Sequence, residues 1–173
     1  MKIKFVILLM VLNIFTIGCS HQKPIKPVDY VDIDRFMGKW YVIANIPTFI
    51  ESGAFNAIES YKKNSDGKIE TLFEFRKDGF DGETVQYHPI GTVVDPSNAI
   101  WDMQFIWPFQ ADYRIIYLDA EYQHTIIGRN KRDYVWIMSR QPKMGDELFH
   151  RLKKYIASTG YDVSQLQRVP QQW

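Results

Sequence analysis

Ala54-Phe55-Asn56-Ala57-Ile58-Glu59-Ser60-Tyr61 and Lys68-Ile69-Glu70-Thr71-Leu72-Phe73-Glu74-Phe75-Arg76-Lys77 flank the turn-forming run Asn64-Ser65-Asp66-Gly67. Apolar and β-branched runs on either side of an Asn/Asp/Gly cluster predict two antiparallel strands and a tight connection. The same grammar extends in both directions. Trp40 to Ile46 is an earlier strand. After the turn Asp78-Gly79-Phe80-Asp81-Gly82, Glu83 to Val94 reads as one long strand with a bend at Pro89-Ile90-Gly91. Asp95-Pro96-Ser97-Asn98 turns the chain again, and Ala99 to Trp107, Asp112 to Leu118, Gln123 to Gly128 and Tyr134 to Arg140 complete the set. Eight short strands in sequence order, each joined by a turn-rich loop, predict an all-β antiparallel up-and-down barrel, because closure removes the exposed edges.

One helix follows. Leu148, Phe149, Leu152, Tyr155 and Ile156 make one stripe at helical spacing between Asp146 and Ser158. Asp146 and Glu147 suit the positive end, Lys153 and Lys154 lie toward the negative end, and Gly160 ends the run. The apolar stripe needs a surface, and the outside of the barrel is the large one on offer.

The start of the chain has a different character. Lys2 and Lys4 precede the apolar run Phe5 to Leu12, which Ile14 to Ile17 continues. It is shorter than the roughly 20 residues of a membrane span and reads as a signal peptide over residues 1–18. Thr16-Ile17-Gly18-Cys19 then reads as a lipoprotein box, with Cys19, the one cysteine of the chain, as the acylated residue. Thr16 departs from the Leu usual there. Residues 19–31, with Pro24 and Pro27, are expected to be a lipidated cysteine and an extended tether, leaving one domain over residues 32–173.

Composition narrows the function. Hydrophobic residues are 46% and aromatics 15%, enough for a packed core with surplus rings to line a cavity. Residues 1–18 carry two lysines and no acid, so their removal takes the formal net charge from +1 to −1, with no basic field to recruit nucleic acid. His21, His88, His124 and His150 stand at no metal-ligand spacing, so no metal site and no cofactor are expected. No G-x-S-x-G or phosphate loop is present.

Three further motifs carry a resemblance. Gly38-Lys39-Trp40 opens the first strand, Tyr117-Leu118-Asp119-Ala120-Glu121-Tyr122 joins the sixth and seventh, and Tyr134-Val135-Trp136-Ile137-Met138-Ser139-Arg140 forms the last. In that order they resemble the three signature motifs of the lipocalins, in the bacterial branch related to apolipoprotein D and the plant temperature-induced lipocalins. The resemblance covers roughly Asp32 to Tyr161. It implies an eight-stranded barrel with Trp40 plugging one end under Arg140, Gly38 beside them, and Asp119 and Tyr122 in the adjoining loop as structural residues. It also implies a non-enzymatic lipid carrier on the periplasmic face of the bacterial outer membrane. Ser20 after Cys19 agrees with that address by analogy with enterobacterial lipoproteins. The implied ligand is a fatty acid or lysophospholipid, tail inside and head at the mouth. A haem or pigment binder, a lipid-modifying enzyme and a filled, purely structural barrel are the alternatives. Some lipocalin enzymes use a cysteine in the barrel, and Cys19 is not placed for that.

Period-two alternation nominates the lining. Trp101, Met103, Phe105 and Trp107 share the apolar face of their strand. Phe73 and Phe75 are placed inside, as are Tyr113, Ile115 and Tyr117, and Trp136 shares a face with Tyr134 and Met138. These aromatics either fill the barrel or line a pocket. Tyr113 and Tyr117 could bond a ligand or each other. Pro47 to Gly53, with Phe49 and Ile50, and Pro108-Phe109-Gln110 are expected to be rim loops at the open end, each a lid, a membrane contact or packing. Phe49 with Phe109 could support a homodimer across the mouth.

Overall fold

A computed structural model describes residues 23–173. The stretches read as signal peptide and lipoprotein box, with Cys19, lie outside the described residues. The barrel strands are β1 (Gly38–Ile46), β2 (Ala54–Lys63), β3 (Ile69–Lys77), β4 (Thr84–Tyr87), β5 (Ile90–Val93), β6 (Ile100–Ile106), β7 (Phe109–Leu118), β8 (His124–Gly128) and β9 (Val135–Ser139). Each pairs antiparallel with its neighbour, and β9 returns to β1 through Tyr41 opposite Ser139 and Ile46 opposite Val135. β4 and β5 both pair with β3, so they are one barrel strand interrupted at His88-Pro89, and the barrel is closed with eight strands. The long strand read over Glu83 to Val94 breaks there because proline cannot donate to the ladder; the Pro89 carbonyl instead accepts from the Thr71 N–H at 3.0 Å.

Helix α1 (Ile33–Phe36), unforeseen from sequence, is capped by the Asp32 carboxylate, which accepts from the N–H groups of Asp34 and Arg35. It lies across the end of the barrel where β1 begins and β9 finishes. Helix α2 (Asp146–Ser158) has the bounds expected of it. It buries Phe149, Leu152 and Ile156 against the outward faces of Ile43, Ile116, Ile126 and Ile137, each large side chain contributing about 1.5–3 kcal/mol. The Tyr155 hydroxyl adds a hydrogen bond to the Ile116 carbonyl at 2.6 Å.

Both ends of the described residues are held on the barrel. Residues 23–31 are extended, as a tether should be, yet they form a strap rather than a free linker. Arg132 Nη2 donates to the Lys23 carbonyl, Ile25 and Val31 are buried, and the Val28 and Val31 N–H groups bond the carbonyls of Ile115 and Ser97. The strap starts beside the β8–β9 loop at one end of the barrel and finishes at α1 on the other. At the C-terminus β10 (Gln167–Arg168) pairs with β1, and Gln171 Nε2 bonds the carbonyls of Val42 and Ala57.

Candidate functional site

The two ends of the barrel are built differently. At the α1 end, the Arg140 guanidinium lies 3.8 Å from the centre of the Trp40 ring. It donates to the carbonyls of Arg35, Phe36, Met37, Lys39 and Tyr122, and Trp40 Nε1 donates to the Phe36 carbonyl at 2.9 Å. Half-burial lowers the Arg140 pKa to about 10, so it stays cationic at neutral pH. Gly38 has φ +92° and a Cβ there would sit 3.4 Å from Arg140 Nη1, so glycine answers both the backbone and the cation. The Asp119 carboxylate accepts from the Gln123 N–H and contacts His124 Nδ1 at 2.6 Å, and the Tyr122 hydroxyl accepts from the Asp32 N–H. Phe36, Trp40, Tyr61 and Trp101 fill the space beneath with ring centroids 5.1–5.7 Å apart. This end is shut.

The opposite end is open and leads into a cavity of about 360 Å³. Phe73, Met103, Phe105, Tyr113 and Trp136, all expected in the lining, are on its wall. Four other expected lining residues are not. Phe75 is buried against Phe73, with centroids 5.4 Å apart, and Ile115 is wholly buried in the core. Trp101 is stacked on Tyr113 at 4.9 Å and belongs to the closed-end plug. Tyr117 is outside the barrel, 5.7 Å from the Tyr155 ring of α2. The cause is a bulge in β7, where Ile115 pairs with Ile127 but Tyr117 with Ile126, so Ile116 is an extra residue and the alternation reverses. Leu118, of the opposite parity to Tyr117, packs on the interior for the same reason.

Trp107 falls beyond the end of β6, in the turn that leads to β7. Expected inside, it is 81% exposed at the mouth. Phe109 and Gln110, expected in a rim loop, instead begin β7, and Phe109 is 75% exposed. Phe49, in a short 3₁₀ turn of the β1–β2 loop, is 89% exposed, and it lines the mouth together with Ile50, Phe105 and Phe109.

Polar groups in the cavity were missed. Glu59 on β2 is buried, and burial, with the Glu51 charge adding to it, pushes its carboxyl up to about 8. Tyr113 is linked to Tyr61 at 2.7 Å, and the Tyr61 hydroxyl donates to the Glu59 carboxylate. Burial raises the Tyr113 phenol well above its ordinary range. Glu51, also buried and raised by desolvation, accepts from Asn45 Nδ2 at 2.9 Å and Trp136 Nε1 at 3.0 Å. Thr71 Oγ1 is buried on the cavity wall with no hydrogen-bond partner among the described residues. The available signal for Glu59 was its parity: Ala57, Glu59 and Tyr61 share a strand face. Arg129, just after β8 at the open end, is the one Lys or Arg among the described lining residues. No described group of His, Cys, Asp and Glu could hold a metal, and no described helix is long and apolar enough to cross a membrane.

Comparison with known proteins agrees with this architecture. The family model described as Lipocalin-like domain matches residues 31–171. Temperature-induced lipocalin-1 of Arabidopsis thaliana is 31% identical over 88% of this chain and 86% of its own. Outer membrane lipoprotein Blc of Escherichia coli K12 is 30% identical over 86% and 85%. Apolipoprotein D of Bos taurus is 27% identical over 88% and 82%. Among solved structures, insecticyanin from the tobacco hornworm superposes with a TM-score of 0.65 at 17% identity, over 84% of this chain and 83% of that one, which shows a common fold. With the three motifs, the plugged end and the family match in agreement, this chain belongs to the lipocalin family.

Proposed function

We propose that this protein is a lipid carrier that stores or transports a fatty acid or lysophospholipid, with the acyl tail in the cavity and the anionic head at the mouth. The observation that carries the reading is an apolar, one-ended cavity of about 360 Å³, within the range of roughly 300–1,000 Å³ typical of small-molecule sites. Its charges favour that orientation for an anion. Arg129 stands at the rim, whereas the inner wall offers an anionic head only the carboxyls of Glu51 and Glu59 and no described cation. The names of its relatives support lipid binding in general terms. Acylation of Cys19, attachment to the bacterial outer membrane facing the periplasm, and exposure of Phe49, Trp107 and Phe109 toward the bilayer belong to the same proposal. They rest on Thr16-Ile17-Gly18-Cys19, the Blc relatives and the apolar mouth. A homodimer across that rim is the competing use of the same three side chains.

The test is a titration of the purified, delipidated protein with a lysophospholipid and a long-chain fatty acid, followed by tryptophan fluorescence, since Trp136 is on the cavity wall. Saturable binding with a Kd of about a micromolar, weakened by Phe73→Ala with an unchanged circular dichroism spectrum, is expected. Absence of binding by both lipids in a folded barrel refutes the assignment. A visible absorption band in the protein as isolated would direct the cavity to haem or another pigment instead.

A further inference from the structure

The inner wall carries more polar chemistry than an acyl tail needs. Glu59 and Tyr61 on β2 stand opposite Phe73 and Thr71 on β3. Glu59 and Thr71 are therefore diagonal neighbours on the inward face, roughly 7–8 Å apart at Cα. The Thr71 hydroxyl is buried, on the cavity wall and unpartnered among the described residues. Glu59 receives one bond, from Tyr61, which is itself tied to Tyr113. No described cation faces this floor. The titratable groups around it are Glu51, Tyr61, Tyr87 and Tyr113, with Asp112, Arg129 and Tyr134 toward the mouth, and Asp112 is paired to Arg114 at 2.8 Å. A carboxyl with one bond made and a buried hydroxyl with none, at the bottom of an apolar shaft, leave oxygen lone pairs without a donor.

We propose that this floor is a recognition site for the ammonium group of a lipophilic amine, bound head-first, with Glu59 as the counter-ion and the Thr71 hydroxyl as a further acceptor. The inference rests on the carrier reading, because it needs the same cavity to admit a ligand. It reverses the polarity of insertion: an anionic lipid leaves its head at the mouth, whereas a cationic one buries it. Burial raises Glu59 to about 8, so its carboxyl is largely protonated in the free cavity at neutral pH. An arriving ammonium favours the carboxylate, and the Glu59 proton leaves to solvent while the amine keeps its own. Glu51 places a second carboxyl on the same wall.

The experiment compares dodecylamine, dodecanol and dodecanoate with the full delipidated protein at pH 7. Calorimetry in two buffers of different ionisation heat counts the protons. Dodecylamine is expected to bind roughly tenfold more tightly than dodecanol, about one factor of ten per 1.4 kcal/mol of ion pairing, with net proton release. Glu59→Gln should erase the amine-to-alcohol ratio. Equal affinities for amine and alcohol, no proton release, or a ratio that survives in Glu59→Gln overturns the inference and leaves the carrier reading standing. Failure of all three ligands overturns both.

Discussion

Glu59→Gln also tests the buried carboxyl without any ligand. Glutamine keeps the shape and an oxygen to accept from Tyr61, and it cannot ionise. In the folded chain the Glu59 pKa is raised from 4.5 to about 8. For an acid the sign follows directly. Between those values the folded state holds a proton that the unfolded state has lost, so unfolding releases it and stability falls as pH rises. The slope is about 1.4 kcal/mol per pH unit. Stability present below pH 4.5 is therefore diminished by roughly 3 kcal/mol at pH 7, and by about 5 kcal/mol once pH passes the folded value. The glutamine variant should match the parent near pH 4.5 and exceed its stability progressively to pH 8. Urea denaturation at half-unit pH intervals, read by circular dichroism, gives the difference curve, in which the titration of Glu51 cancels to first order. A gap that stays flat between pH 5 and 8 would show that Glu59 is solvated and ionised in the native barrel.

Three other perturbations address the two ends and the helix. Arg140→Leu removes donors to five carbonyls and the cation over Trp40, and should lower stability by about 3–5 kcal/mol with the closed-end tryptophan emission shifted to the red; a loss under about 1 kcal/mol would contradict the plug. Ala111→Trp puts an indole into the cavity, and should abolish lipid-dependent fluorescence changes while the melting temperature stays within a few degrees. Leu152→Ala leaves a hole between α2 and the barrel and should cost about 2–5 kcal/mol in chemical denaturation, with no change in ligand affinity if α2 serves only packing.

The architecture was legible because it is written in turns and periods that neighbouring residues share. The hairpin at Asn64-Ser65-Asp66-Gly67 and α2 needed only local signals, and both stand as read. The plug was legible from Gly38, Trp40 and Arg140 through the resemblance. The lining was legible only in part, since alternation is a bookkeeping of parity and a single extra residue inverts it. Ile116 did so for Tyr117 and Leu118, and Trp107 left the alternation because the strand ends before it. How far down the shaft a side chain sits is a separate quantity, which parity does not carry. Trp101 points inward as expected, yet it lies below the cavity among Phe36 and Tyr61. Glu59 escaped notice because a charged residue on a strand ordinarily marks the solvent face, and the hydroxyl pair behind it joins Tyr61 of β2 to Tyr113 of β7, residues far apart in the chain.

The strap sets a distance. Its first described residue, Lys23, is bonded to Arg132 in the loop beside the mouth, so the chain arrives at the barrel's open end before it crosses to the closed one. Cys19 stands four positions earlier, a reach of at most about 14 Å for a fully extended chain. With Cys19 in the bilayer, as proposed, that reach becomes a leash, and the mouth cannot wander from the surface by more than its length. Capture of a lipid is then an encounter at the effective concentration of a short linker, on the order of millimolar, instead of a search through the periplasm. Lengthening the leash with a Gly/Ser insert ahead of Lys23 should slow lipid transfer between the anchored protein and its own membrane while leaving the affinity of the detached barrel unchanged.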